Sequence, residues 1–341
     1  MKGALVVFVA SVLVTSACFS KAVYNKEVWQ ARDDGAEFDV MLRVVDDEGV
    51  PVANARCGGW MYVERDSRHG CGYAIYTDTN GCVRVTGKCS EWFSVVVGKE
   101  GYYKTSFDVK YPLENVDPPI VDGQWQPYGV TRTVVLKKIR NPIHLCDPEA
   151  RYRHVYPESG KWTGFDLVCG DWVPPLGVGK CADVMIRYTR EQRPDGFFKS
   201  LDVSFTNNPY AGAYVLNRDS YSEMDSVYEA NTNGKYIGNF RYEFERTAKG
   251  NHVISELGYG QYLVFRIRTK TDENGKLISA HYGRIMGALQ YLEKAGIVLG
   301  PVFFNPTPND TNLEDGETAR RSRLGYKQRL EFERQRKAKG K

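Results

Sequence analysis

Histidine is the first residue type to examine for chemistry, because a catalytic zinc site needs three protein ligands and one open position. None of the histidines is followed by glutamate three residues later, and no H-E-x-x-H pair occurs, so the ligand pairs of zinc peptidases are missing. The chain also has no G-x-S-x-G elbow, P-loop or dinucleotide-binding glycine pattern. We therefore predict no metal, no cofactor and no catalytic residue. The five histidines are His69, His144, His154, His252 and His281.

Carboxylates of the second half are the remaining candidates for catalysis, because glycosidases use two acids that meet only in three dimensions. A polysaccharide- or peptide-degrading hydrolase that uses them is therefore one alternative function. It would require a cleft holding two carboxylates, with the pKa of one of them raised. The acids concerned are Asp166, Asp171, Asp183, Glu243, Glu245 and Glu256.

Three large aromatic residues, Trp162, Phe165 and Trp172, cluster in the sequence around Asp166 and Asp171. Flat rings on rigid β loops can stack on sugar faces while nearby carboxylates accept hydrogen bonds from the hydroxyls. These five residues are our candidates for a glycan-binding site. The alternative is that the rings fill or cover the core of a sandwich, since large aromatic side chains are mostly buried.

Seven cysteines follow Cys18, and this usage favours an exported protein with disulfides. Four of them fall in one short segment, which allows three connectivities. A zinc site is less favoured there because no C-x-x-C pair exists. The other three form an odd set, so two can pair with each other or one can pair with the first half. The disulfide candidates are Cys57, Cys71, Cys82, Cys89, Cys146, Cys169 and Cys181.

Residues 1–20 have the order of a secretory signal. A positive charge at Lys2 precedes an apolar run over 4–14 that is too short to span a bilayer, and small residues follow. We expect a secreted, periplasmic or cell-surface protein. Cys18 occupies the position of a lipoprotein cysteine, so a lipid anchor is one alternative and ordinary cleavage nearby is the other. A buried N-terminal strand or helix is the competing interpretation of the apolar run.

The chain of 341 residues carries a formal charge of only +4, and much of that comes from the C-terminal segment 316–341. The rest is close to neutral, which argues against a nucleic-acid surface. We expect this basic tail to be a short charged helix or a disordered end. Its alternative role is electrostatic contact with an anionic envelope polymer or with lipid headgroups, which salt would weaken.

The first half has the alternating pattern of β-strands, beginning at residues 37–45. Acidic turns with glycine interrupt the strands near 47–49 and 78–81, and Asn80-Gly81 predicts a hairpin. The motifs follow the order D-x-x-G-x-P-V, T-D-x-N-G-x-V-x-V and K-x-G-Y. Their residues are Asp46 or Asp47, Gly49, Pro51, Val52, Thr77, Asp78, Asn80, Gly81, Val83, Val85, Lys99, Gly101 and Tyr102.

This order of motifs resembles that of carboxypeptidase regulatory-like domains over residues 37–138. The resemblance implies a prealbumin-like (transthyretin-like) β-sandwich and a non-catalytic accessory role in folding, spacing or adhesion. It transfers no catalytic residue. Two features depart from the family, namely a long segment with Cys57 and Cys71 between the motifs and a proline-rich insertion over 111–128.

We place a tether at 21–36 and a linker at 139–160 on either side of this domain. Strand-like runs continue through 161–315, where Asp272-Glu273-Asn274-Gly275 predicts a hairpin turn. The predicted fold class is all-β, with the prealbumin-like sandwich followed by a second antiparallel β-sandwich-like domain.

Together, these patterns predict an exported, non-enzymatic protein of the cell envelope with a structural or binding role and a glycan or protein partner. No nucleic-acid partner is expected, and membrane association would depend on the lipid anchor alone. The alternatives are the hydrolase described above and a lipid-anchored spacer. The oligomeric state is not defined by the sequence.

Overall fold

The computed structural model describes most of the chain between residues 26 and 323. Residues 1–25, with the predicted signal and Cys18, lie outside the described residues, as does most of the tail beyond 323. The described ranges are 26–63, 70–112, 116–147, 157–206, 209–219, 221–255, 260–287, 289–292 and 296–323, with residues 328, 331, 334 and 335. No helix within these ranges combines the length and apolarity needed to cross a membrane.

The described chain is all-β apart from a short helix near each end, and its strands form facing sheets. The elements of the first half are α1 (Lys26–Asp34), β1 (Ala36–Asp46), β2 (Arg56–Tyr62), β3 (Gly70–Tyr76), β4 (Cys82–Cys89), β5 (Trp92–Gly98), β6 (Thr105–Lys110), β7 (Ile120–Val121), β8 (Gln124–Trp125) and β9 (Val130–Leu136). Those of the second half are β10 (Trp162–Asp166), β11 (Asp171–Trp172), β12 (Val184–Arg193), β13 (Gly196–Phe205), β14 (Gly212–Asn217), β15 (Asn239–Thr247), β16 (Gly250–Ser255), β17 (Gln261–Thr271), β18 (Leu277–Met286), β19 (Gln290–Leu292), β20 (Gly296–Val298), β21 (Val302–Phe304) and α2 (Gly316–Arg323).

The first sandwich, residues 36–136, packs two sheets face to face. One sheet has the order β4-β1-β8-β7 with β9 also beside β1, and the other has the order β3-β2-β5-β6. Strand β1 runs antiparallel to β4 but parallel to β8 and β9, so its sheet is mixed. Alternate residues of β1 are buried and meet those of β5 across the core, where the Phe38 and Phe93 rings stack with their centres 4.2 Å apart.

The Asn80-Gly81 turn is a corner between the two sheets, so the prediction of a hairpin there is wrong. It joins β3 to β4, which pair with different partners in different sheets. Asp78 Oδ1 accepts hydrogen bonds from the N–H groups of Asn80 and Cys82 at 2.9 and 2.8 Å. Gly81 has φ +74°, and a Cβ there would lie 2.4 Å from the Val44 carbonyl oxygen. The turn chemistry defines the bend, but it does not define the partner of the next strand.

The second sandwich, residues 162–304, faces a six-stranded sheet against a four-stranded one. Their orders are β11-β10-β12-β13-β15-β16 and β14-β17-β18-β21. The core between them holds Ile186 and Leu201 from the larger sheet and Phe265 and Ile285 from the smaller one. The predicted turn at residues 272–275 joins β17 to β18 as a hairpin.

Helix α1 lies within the predicted tether and buries Ala31 in the first core. Part of the predicted linker pairs with the second sandwich. The N–H of Cys146 donates to the Phe304 carbonyl at 2.8 Å, and the N–H of Phe304 donates back at 2.9 Å. The described part of the linker therefore runs along β21 as an extension of the sandwich.

A buried carboxylate, Glu314, ties the two sandwiches together. Its side chain accepts the Tyr103 hydroxyl at 2.9 Å and the N–H groups of Arg140 and Asn141 at 2.8 and 2.6 Å. The residue is 1% exposed. A single side chain from the end of the second sandwich thus satisfies three donors from the first sandwich and its exit segment.

Helix α2, at the start of the predicted tail, is docked onto the first sandwich. Asp315 caps its N-terminus by accepting the Thr318 N–H at 2.8 Å. Near the other end, the Ser322 hydroxyl accepts the Lys104 N–H at 2.9 Å. The last turn is basic, which suits the negative end of the helix dipole.

Candidate functional site

Charged and aromatic side chains meet on the outer face of the six-stranded sheet. Alternate side chains of β12 are buried in the core, and Arg187 lies between two of them, so it points outward. The strand registers place Trp162 of β10 opposite Arg187, Arg187 opposite Asp202 of β13, and Asp202 opposite Arg241 of β15. We call these four residues the outer row.

The outer row is held by continuous contacts. The Arg187 guanidinium carbon lies 4.6 Å from the centre of the Trp162 ring, and its Nη2 lies 3.1 Å from Asp202 Oδ2. The other Asp202 oxygen is 2.9 Å from Arg241 Nη1, and Arg241 Nε is 2.5 Å from Glu243 Oε1. Trp162 remains 42% exposed. The row therefore presents an indole in a fixed orientation beside charged hydrogen-bonding groups.

A second group of residues extends this face toward the β12–β13 turn. Arg193 is ion-paired with Glu245, and its guanidinium carbon lies 4.7 Å from the centre of the Phe198 ring. Sequence reasoning named Trp162 and Glu245 separately but missed Arg193 and Phe198, because strand pairing and not sequence spacing brings these residues to one face. The alternate positions of β12 from Arg187 are Arg187, Thr189, Glu191 and Arg193, and this polar alternation is the signal that could have indicated a polar sheet face.

Asp166 and Asp183, two buried acids considered for catalysis, share Arg268, whose side chain is 32% exposed. Arg268 Nη2 lies 2.9 Å from Asp166 Oδ1, and its Nε lies 3.0 Å from Asp183 Oδ1. Both carboxyl side chains are 1% exposed. The Asp166 oxygens also accept four backbone N–H groups at 2.9–3.1 Å, and these come from Val168, Cys169, Lys180 and Cys181. This acid pair orders the loop between β10 and β12 and leaves little carboxyl surface for a substrate.

The two carboxyls of this pair have pKa values that move in opposite directions. Burial acts to raise the pKa of Asp166, but hydrogen bonds from the N–H groups of Cys169 and Lys180 outweigh it, and the pKa is lowered. Burial raises the pKa of Asp183, although the hydrogen bonds and charge of Arg268 act to lower it. A catalytic acid and base would also have pKa values shifted in opposite directions. Here, however, both carboxyl groups are buried away from solvent.

The substitution Asp166→Asn is expected to change how stability depends on pH. A carboxyl whose pKa is lowered on folding adds stability that is present above its unfolded pKa, near 3.8, and lost as the pH falls through the folded pKa. The free energy of unfolding of the wild type should therefore exceed that of the variant most at pH 5–6, and this difference should narrow at lower pH. Urea unfolding at a series of pH values measures this difference.

Asp183→Asn is the matched control for that series. Its raised pKa means that the charged form costs stability, and this cost is relieved as the pH falls through the folded pKa. The free energy of unfolding of the wild type, relative to that of Asp183→Asn, should therefore rise as the pH falls. If the stability difference between wild type and variant changed with pH in the same direction for both substitutions, the opposite pKa shifts of Asp166 and Asp183 would be contradicted.

The remaining predicted site residues lie in the core. Phe165 and Trp172 are each 1% exposed, and their rings meet edge to face at 5.0 Å. Asp171 is buried and accepts the N–H groups of Trp172 and Val178 at 2.8 and 3.1 Å. The structure thus brings four of the five candidates together beneath the surface and leaves Trp162 as the accessible ring. Of the other acids considered, Glu243 and Glu245 are ion-paired, and Glu256 lies outside the described residues.

All seven cysteines after Cys18 are free thiols in the structure. Cys57 lies opposite Ile75, four residues along β3 from Cys71, so the two are roughly 13 Å apart along the strand, beyond the reach of a disulfide of about 7 Å. Cys82 and Cys89 stand at the two ends of β4. These positions disfavour the connectivity in which Cys57 bonds to Cys71 and Cys82 bonds to Cys89. The other connectivities stay predictions.

Burial makes two of these thiols unreactive. It raises the pKa of Cys57 to about 11 and that of Cys89 to about 12. Within the described ranges, no three His, Cys, Asp or Glu side chains come close enough together to hold a metal ion.

A cationic groove of about 670 Å³ lies between the first sandwich and the end of α2. We define it by the basic residues that line it, Arg56, Lys99, Lys104 and Arg323; Glu100 is the acidic residue in its lining. Three separate segments contribute these residues, so sequence reasoning named the K-x-G-Y turn and the basic tail that contains Arg323 but did not bring them together. The charge of the groove suits an anionic ligand.

No family model and no curated protein matches the chain. Solved structures with some likeness include 3-chlorocatechol 1,2-dioxygenase from Rhodococcus opacus 1CP, with 16% identity, a TM-score of 0.26, and coverage of 31% of this chain and 62% of that one. Catechol 1,2-dioxygenase from Acinetobacter sp. ADP1 shares 15% identity over 31% of this chain and 54% of that one, with a TM-score of 0.23. Hydroxyquinol 1,2-dioxygenase from Pseudomonas putida DLL-E4 shares 14% identity over 31% of this chain and 58% of that one, also with a TM-score of 0.23. This chain spans less than two thirds of these enzymes, and the TM-scores are too low to support any argument about function.

Proposed function

We propose that the protein is an exported, non-catalytic binding protein of the cell envelope that holds a glycan on the outer face of its six-stranded sheet. The observation that carries this proposal is the outer row, in which an exposed Trp162 is fixed beside Arg187 and Asp202. The predicted secretory signal supports the location. The resemblance of residues 37–138 to accessory domains supports the absence of catalysis.

A glycan suits the outer row because a sugar ring offers both an apolar face and a rim of hydroxyl groups. The indole supplies a flat apolar surface, and the carboxylate and guanidinium groups beside it supply acceptors and donors for hydroxyls. The polar groups already contact one another across the strands, so little ordering entropy remains to oppose binding. A flat sheet face also fits an extended polymer better than a compact molecule.

The hydrolase alternative is less well supported. Asp166 and Asp183 are buried and share Arg268, while Glu243 and Glu245 are ion-paired on the sheet face. A general acid must reach the leaving group within hydrogen-bond distance, and the two interior acids are covered. The lipid-anchored spacer depends on Cys18, which lies outside the described residues.

The substitution Trp162→Ala tests the proposal. Loss of an exposed aromatic anchor should weaken glycan binding by at least about tenfold, since anchors of this kind dominate binding energy. Calorimetric titration with soluble fragments of envelope polysaccharide measures the effect. Stability should change little, because the ring is 42% exposed.

Ile278→Ala is the matched control for Trp162→Ala. Ile278 is an exposed apolar residue on β18, in the other sheet, so its removal should leave binding unchanged. Equal affinity of Trp162→Ala and Ile278→Ala would place the binding surface elsewhere.

The cationic groove favours a second candidate, binding of an anionic envelope polymer. Affinity for polyphosphate, used as a probe, should fall steeply between 50 and 500 mM salt, because screening shortens the reach of the charges. Arg56→Ala should weaken this binding, and Arg43→Ala, an exposed arginine of β1 that does not line the groove, should not. Salt-independent binding, or equal effects of the two substitutions, would argue against the groove.

A further inference from the structure

A second cavity, of about 200 Å³, lies where α2 covers the four-stranded sheet. Its lining includes Arg284 of β18, the Arg218–Asp225 pair and Asp315 at the start of α2. The volume is several times the roughly 30 Å³ that one water occupies in the liquid. It is therefore large enough for a small organic molecule.

Arg284 is a buried cation with few partners. It is 2% exposed, and among the described residues it donates one hydrogen bond, to the Ser226 hydroxyl, and its Nε has no partner. Its guanidinium carbon lies 4.5 Å from the centre of the Phe303 ring. A buried guanidinium with unmet donors is costly unless an acceptor satisfies it. Its surroundings thus call for an anionic group inside the cavity.

Two carboxylates of the lining already have partners other than Arg284. Asp225 lies 2.6 Å from Arg218 Nη2, and Asp315 Oδ2 accepts the N–H and hydroxyl of Thr318 at 2.8 and 2.7 Å. Neither is hydrogen-bonded to Arg284. The bidentate geometry of a guanidinium matches a carboxylate, so a ligand carboxylate would complete the shell of Arg284.

The net charge of the lining limits which carboxylate can enter. Five acids and three arginines line the cavity, so a simple anion would meet an acidic surrounding. A ligand that carries both a carboxylate and a positive group would give Arg284 an acceptor and would also be attracted to the acids of the lining. The acids are Asp147, Glu223, Asp225, Asp315 and Glu317, and the arginines are Arg218, Arg284 and Arg321.

We propose that this cavity binds a small zwitterion of the α-amino acid class, with its carboxylate on Arg284 and its ammonium group among the acids of the lining. The site is separate from the outer row and does not depend on the proposed glycan binding. Its position under α2 means that a bound ligand would stabilise the docking of that helix on the sheet.

Calorimetric titration and thermal unfolding of the full mature chain with glycine, acetate and methylamine as separate probes test the proposal. Glycine should bind with a one-to-one ratio and raise Tm, and acetate and methylamine should each bind at least about tenfold more weakly. This comparison uses the wild type, so it does not depend on a variant that folds. No binding of glycine would show that the cavity holds water only, and acetate binding as tightly as glycine would contradict a zwitterion.

Arg284→Met provides a second test, because methionine keeps an unbranched apolar stem like that of arginine and removes the guanidinium donors. Glycine affinity should fall at least about tenfold in this variant. Arg187→Met in the outer row is the control and should bind glycine like the wild type. Unchanged glycine binding by Arg284→Met would overturn the assignment of Arg284.

Discussion

Replacing Arg268 with methionine is expected to lower the free energy of unfolding by about 2–3 kcal/mol, because it leaves two buried carboxylates without their cation, while the 32% exposure of Arg268 lets water replace part of that interaction. Two carboxylates, Asp166 and Asp183, share this guanidinium, and each side chain is 1% exposed. The substitution keeps the Cβ and an unbranched stem, so the cost of the positive φ of Arg268, +50°, is similar in both proteins. Urea unfolding at pH 7 measures the change.

The double variant Arg268→Met with Asp183→Asn separates charge from packing. If the loss comes from an unpaired carboxylate, neutralising Asp183 should recover part of it, and the two changes should not be additive. Arg246→Met, an exposed arginine of β15, is the control and should stay within about 0.5 kcal/mol of the wild type. A loss for Arg268→Met no larger than that of the control would contradict the role given to the cluster.

Glu314→Ala is the second substitution with a large expected effect, a loss of about 3–5 kcal/mol. It removes the acceptor for the Tyr103 hydroxyl and for the N–H groups of Arg140 and Asn141. The Tyr103 hydroxyl is buried and costs about 1–3 kcal/mol when left without a partner, and the N–H groups of the exposed residues Arg140 and Asn141 each lose a hydrogen bond to a charged acceptor. Because these donors join the two sandwiches, we expect the residues around them to lose hydrogen-exchange protection as well.

Two milder variants calibrate that result. Glu314→Gln keeps one carbonyl acceptor and should lose less than Glu314→Ala. Tyr103→Phe removes one hydrogen bond of the three and should lose about 1 kcal/mol. An equal loss for all three variants, or none for Glu314→Ala, would mean that the carboxylate does not hold the junction.

The all-β fold was predictable from the sequence because alternation and turn chemistry are local signals. Asp78 and Asp272 form the turns that their motifs predict. The pairing of the strands that follow is not local, so Asn80-Gly81 was mistaken for a hairpin. The resemblance to carboxypeptidase regulatory-like domains stays a prediction.

The candidate site was only partly predictable, because its contacts join distant parts of the chain. Arg268 is 102 residues from Asp166, and no spacing rule connects them. The sequence cluster from Trp162 to Trp172 does fold together, but β10 and β11 turn Phe165 and Trp172 into the core and leave Trp162 outside. Composition cannot distinguish a ring that fills a core from one that faces solvent, since strand register decides between them.

The most direct test of glycan binding without catalysis is co-sedimentation of residues 23–341, the chain without its predicted signal, with insoluble cell-wall polysaccharide. The supernatant is then analysed for released sugars and peptides. We predict that the wild type sediments with the polymer, that Trp162→Ala stays in solution, and that no products are released. Released products would show that the protein is a hydrolase. A glycan-binding role for the outer row would be contradicted if the wild type stayed in solution, or if Trp162→Ala sedimented with the polymer.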